Sequence, residues 1–114
     1  MADQLTEAFE RFLTLCPHVV SSHDLVTKIR LELGRGYVLD LYFREATGQY
    51  SYTLLRYDQR VRGWHNASHH LGLDNHPHHF HRPDGSVESA PLTGDPVKDM
   101  DRVAQTINTF LASP

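Results

Sequence analysis

Cysteine is nearly absent from the 114-residue sequence: Cys16 stands alone, which excludes an intrachain disulfide. With Leu13 and Leu15 beside it, Cys16 is expected to be a small buried or half-buried residue, not a nucleophile. There is no apolar run long enough to cross a bilayer. The stretch Met1 to Phe12 contains acidic residues and no basic segment ahead of an apolar one, so a secretory signal is not expected and a cytoplasmic location is. A basic excess is lacking too, with 11 Lys and Arg against 14 Asp and Glu, a net charge of −3 when histidines are neutral. That excludes the whole-surface positive field of a nucleic-acid packing protein and leaves room for a local basic patch. No repeat, low-complexity tract or linker divides the chain, and its length suits one core, so a single domain over residues 1–114 is expected.

What is present has clear periodicity. Leu5, Ala8, Phe9, Phe12, Leu13 and Leu15 recur at helical spacing, and Pro17 ends that helix. Residues 25–33 alternate, with Leu25, Thr27, Ile29, Leu31 and Leu33 opposing Lys28, Arg30 and Glu32, which predicts a half-buried strand. Gly34-Arg35-Gly36 turns into a second strand over Tyr37–Arg44. A third is expected over Tyr50–Tyr57 and a short fourth from Val61 to about Asn66. Asp95 as N-cap and Pro96 at the first helical position open a helix whose apolar face is Val97, Met100, Val103, Ala104, Ile107, Phe110 and Leu111. The expected fold is α+β: an antiparallel meander of four strands, or five if one forms near Phe80 or Val87, packed on one face by N- and C-terminal helices. The charged side chains Lys28, Arg30, Asp40 and Arg44 are expected to form a solvated face.

Between the sheet and the last helix lies the segment HNASHHLGLDNHPHHFH, residues 65–81, which holds His65, His69, His70, His76, His78, His79 and His81, seven of the nine histidines. Gly72, Pro77, Pro83 and Gly85 break any period, so this region is expected to be mostly loop. Histidine titrates near neutrality and binds metal as a neutral imidazole, so the tract suits proton transfer, metal binding or phosphate contact. As a metal site, its candidates are His79 and His81, two apart, with Asp74 or Asp84 in reach; the cysteines usual in structural zinc sites are missing. As a metal-independent ribonuclease site, one histidine takes the 2′-hydroxyl proton and another protonates the leaving oxygen. Arg56, Arg60, Arg62 and Arg82 flank the tract, and Tyr57 and Trp64 offer rings for base stacking.

These residues resemble the TumE-type proteins of toxin–antitoxin pairs. The likeness is carried by Tyr50-Ser51-Tyr52, then Trp64-His65-Asn66-Ala67-Ser68-His69-His70, a six-residue spacer from Leu71 to His76, and Pro77-His78-His79-Phe80-His81. It covers about residues 25–111, with its specific part confined to 50–81. The chain departs from the pattern at His65, where the family usually has aspartate, at Ser68 for proline, and at Gly63 and Phe80 for basic residues. Histidine in place of that carboxylate alters any acid–base or metal role there, and loss of a basic residue weakens phosphate contact.

The resemblance implies a toxin whose partner antitoxin masks its site. Combined with the histidine chemistry, it implies action on RNA, with His70, His78, His79 and His81 as the acid–base group and Asn66, His69, Arg56, Tyr57 and Trp64 as binding residues. Two alternatives stay open: a non-catalytic module whose histidine loop binds a divalent metal or a protein partner, and an enzyme acting on a small phosphorylated substrate. Exposed sheet edges leave a homodimer open as well. The residues name no cofactor.

Overall fold

The computed structural model describes residues 3–66, 78–82, 84, 86–90 and 92–112, and of His79, Glu88 and Ser89 the backbone alone. The first helix, α1, spans Gln4–Leu15. The Asp3 carboxylate caps it by accepting from the Thr6 N–H at 2.7 Å, satisfying one of the amides a helix start leaves open. Cys16, before Pro17, has φ −118° and ψ 107°, the extended conformation that a following proline imposes. It is buried, and burial pushes its thiol pKa up.

Among the described residues seven strands form one antiparallel sheet in chain order: β1 (Ser21–Asp24), β2 (Ile29–Gly34), β3 (Tyr37–Arg44), β4 (Gln49–Arg56), β5 (Gln59–His65), β6 (His79–His81) and β7 (Val87–Ser89). The second helix, α2, spans Pro96–Ala112 and is capped by Asp95, whose carboxylate accepts from Val97 N–H at 3.0 Å. The α+β class and the meander between two terminal helices thus match expectation, but the sheet has more strands than the four or five read from the sequence. Three differences have physical causes. The strand expected over 25–33 begins at Ile29, because Val26 adopts a φ of 73° and is 92% exposed, a turn conformation that a β-branched residue seldom takes. β1 is an edge strand of polar residues with no apolar alternation to betray it. Where one short strand near Phe80 or Val87 was expected, two form, β6 and β7, because β6 pairs with β5 on one side and with β7 on the other.

Alternation along the strands sorts the side chains. Leu31, Leu39, Leu41, Tyr50, Tyr52, Leu54, Trp64 and Phe80 join Ala8, Phe12, Met100, Val103 and Ile107 in one core between the sheet and the helices. The far face carries a polar row set by register: Arg30 pairs with Asp40, Asp40 with Thr53, Thr53 with Gly63, and Gly63 with His81. The charged hairpin face is not simply solvated. Asp40 is buried and accepts from Lys28 Nζ at 2.9 Å and from Arg30 Nε at 2.8 Å, so two cations bracket one carboxylate.

Candidate functional site

Strand pairing brings His65 and His81 together, although sixteen residues separate them in sequence. β5 and β6 run antiparallel with Trp64 opposite Phe80, which fixes both neighbours of that pair. Trp64 and Phe80 turn into the core with ring centroids 4.9 Å apart. A strand sends successive side chains to opposite faces. Hence His65 and His81 emerge together on the far face, their rings 4.4 Å apart and 14° from parallel. Their Nε2 atoms face each other in direct hydrogen-bonding contact. His81 is buried and His65 half-buried. Two neutral imidazoles, or one neutral and one protonated, satisfy an Nε2–H to Nε2 bond, so the pair can hold and pass a proton.

Hydroxyls flank the pair, and the stem of an arginine lies over the neighbouring Gly63. Ser51 lies opposite His65 in the register and Thr53 opposite Gly63, and their Oγ atoms are 3.2 Å apart. A register shift at Leu54/Leu55 pairs Leu54 with Arg62 and Leu55 with Arg60, leaving Val61 as the extra residue of a β-bulge. An unbroken strand would put Arg60 on the same face as Arg62. The bulge moves it to the far face instead, and its Cδ lies 3.4 Å from where a Cβ on Gly63 would stand. Gly63, the position that lacks a basic side chain, is covered by the stem of Arg60.

The other expected site residues are dispersed. His78 lies on the helix side, with Nδ1 2.9 Å from the hydroxyl of buried Tyr50 and the two rings stacked. Burial, with the Asp99 carboxylate second, pushes the Tyr50 pKa up, so the phenol keeps its proton and can donate to the imidazole. Tyr52 stacks on Tyr50 at 4.8 Å, and its buried hydroxyl has no hydrogen-bond partner among the described residues. Asn66 is occupied structurally: its Oδ1 accepts from the Tyr50 N–H and its Nδ2 donates to the Gly48 carbonyl, both at 3.0 Å. That ties the end of β5 to the β3–β4 turn.

Trp64, expected to stack on a base, is 2% exposed and serves the core, because even positions of β5 near the pair face the helices. Tyr57 is 72% exposed, but it and Arg56 sit at the opposite end of β4 and β5. Five residues from Ser51 to Arg56 span about 17 Å, so they do not share the His65–His81 site. There the Arg56 guanidinium covers the Tyr37 ring at 4.8 Å. His69, His70 and His76 lie outside the described residues, and His79 is placed only as the backbone partner of His65. Among the described residues no three His, Cys, Asp or Glu side chains group to hold a metal ion.

Sequence reading passed over the pairing of His65 with His81 and the approach of Arg60. Period-two counting around Trp64 and Phe80 carried a signal for the first; nothing local announced the bulge. A family model described as Toxin TumE matches residues 7–113. No curated protein and no solved structure matches the chain. No helix among the described residues is long and apolar enough to cross a membrane.

Proposed function

The chain belongs to the TumE toxin family, and from that premise we propose that it is the toxin of a toxin–antitoxin pair, cleaves RNA in the cytoplasm with the imidazole pair His65 and His81, and is masked by its antitoxin across the far face of the sheet. The observation that carries this reading is the contact of two imidazoles from different strands beside two hydroxyls. Half-buried His65 is the member that meets substrate; buried His81 holds its orientation and proton. In the reaction His65 takes the 2′-hydroxyl proton, the O2′–P bond forms, the P–O5′ bond breaks, and that proton passes to the leaving O5′, giving a cyclic phosphate. His79, opposite His65 in register, and His70 are proposed as further members of the group.

The facing Nε2 atoms also favour a second reading, a divalent ion bound between them by a non-catalytic module. Two imidazoles supply only part of the three or four ligands such an ion takes. Incubating the purified protein with total RNA, with and without chelator, tests both. Chelator-resistant cleavage lost in His65→Ala supports the acid–base reading. A stoichiometric ion without cleavage overturns it in favour of the binding module.

A further inference from the structure

The substrate of the proposed reaction is an anion, and a phosphodiester needs a cation within reach of its non-bridging oxygens. Several cations near the histidines have other positions or partners. Arg62 lies on the helix side over the Phe110 ring at 4.6 Å. Arg82 lies on the Phe80 side of β6, 6.0 Å from that ring. Arg30 and Lys28 are held by Asp40, and Arg56 stands at the other end of the sheet.

Arg60 differs in three respects. The bulge at Val61 turns it onto the face of His65 and His81. Its stem passes over Gly63, with Cδ 3.4 Å from where a Cβ would stand, and Gly63 pairs with His81 and is two residues from His65. Its own exposure leaves the guanidinium in solvent, where a ligand can reach it. A planar guanidinium suits a phosphate because two parallel N–H groups match two oxygens.

We propose that Arg60, carried over Gly63 by the bulge at Val61, binds the phosphate group of the substrate at the His65–His81 pair. The proposal rests on the RNA reading for the identity of the substrate and on the geometry alone for the phosphate. Its test is fluorescence anisotropy of a 2′-O-methyl single-stranded RNA, which cannot be cleaved, over a salt series. Wild type, Arg60→Gln, Arg62→Gln and Gly63→Ala are compared after thermal melts show each is folded. Arg60→Gln is expected to weaken binding about tenfold and to lower the salt slope by about 1, while Arg62→Gln leaves both unchanged. Gly63→Ala adds a methyl that meets the Arg60 stem at ordinary contact distance, 3.4 Å, and is expected to leave binding near wild type. Equal losses in Arg60→Gln and Arg62→Gln, or none in Arg60→Gln, overturn the assignment. If wild type neither binds nor cleaves RNA, the RNA reading fails by itself, and inorganic phosphate followed by NMR then decides Arg60. A shift of the Gly63 amide lost in Arg60→Gln supports the proposal, and no shift in wild type overturns it.

Discussion

The Tyr50 hydroxyl and Nδ1 of His78 meet at 2.9 Å on the helix side of the sheet, away from the face that carries His65 and His81. A histidine of the Pro77-His78-His79-Phe80-His81 run therefore partners a core phenol. Tyr50→Phe removes that bond and leaves no buried hydroxyl behind, so it is expected to cost about 1 kcal/mol. His78→Ala strands the hydroxyl and is expected to cost about 1–3 kcal/mol. Urea unfolding midpoints check both. A fall in activity in His78→Ala with no loss of stability would return His78 to the acid–base group.

His65 and His81 act as one device in the proposed reaction, and residues that act as a unit are not additive. His65→Ala and His81→Ala are each expected to lower RNA cleavage at least about 100-fold, and the double variant little further. His23→Ala, on the edge strand β1, is the control that leaves cleavage unchanged. Induced expression of wild type is expected to slow growth, with relief by co-expression of the partner antitoxin; His65→Ala needs no such relief. Additive losses in the double variant would show two independent roles instead of a pair.

The sheet was legible where apolar residues alternate. Ile29, Leu31 and Leu33 against Lys28, Arg30 and Glu32 marked β2, and Leu39 with Leu41 marked β3. It was faint where apolar residues are few, as in β6 and β7, for which the residues offered one short strand near Phe80 or Val87, and illegible at β1, Ser21–Asp24, which contributes nothing to the core. Strand β6 splits the histidine tract. Neighbours in sequence become neighbours across a sheet only through pairing, so His78 and His81 separate while His65, sixteen residues from His81, joins it. Arg60 was visible as a nearby cation, yet its face depends on one extra residue in β5, and no local pattern distinguishes a bulge at Val61 from an unbroken strand.

Stability toward acid is expected to depend on Asp40. Burial pushes its carboxyl up, but the hydrogen bonds from Arg30 and Lys28 outweigh that and hold it below the ordinary carboxylate range. A depressed folded-state pKa means the unfolded chain binds more protons in that window, so stability rises with pH through it. The contribution is fully present above the unfolded value of about 4 and is lost as pH falls through the folded one. Asp40→Asn is expected to flatten the fall in the urea midpoint between neutral pH and about pH 3. At neutral pH, Asp40→Ala is expected to cost about 2–3 kcal/mol, toward the low end for a broken buried pair. The Lys28 and Arg30 side chains are 36% and 34% exposed, so solvent screens what remains.

Asp99 fastens the entry to α2 beneath the Tyr50–His78 pair. It is 3% exposed, and its two oxygens accept from Thr93 N–H, Thr93 Oγ1 and Gly94 N–H, each at 2.9 Å. Gly94 holds a φ of 93°, a conformation that only glycine takes readily, and a Cβ there would stand 3.4 Å from Cε1 of His78. The loop that Asp99 ties down is thus the wall on which the His78 ring rests. Asp99→Asn keeps the size but replaces one acceptor oxygen with a donor facing donors, so it is expected to cost about 2 kcal/mol. Amide hydrogen exchange should rise at Thr93 and Gly94 first and at the Tyr50 strand only with global unfolding. Equal protection of Gly94 in wild type and Asp99→Asn would show that the backbone, not the carboxylate, holds this turn.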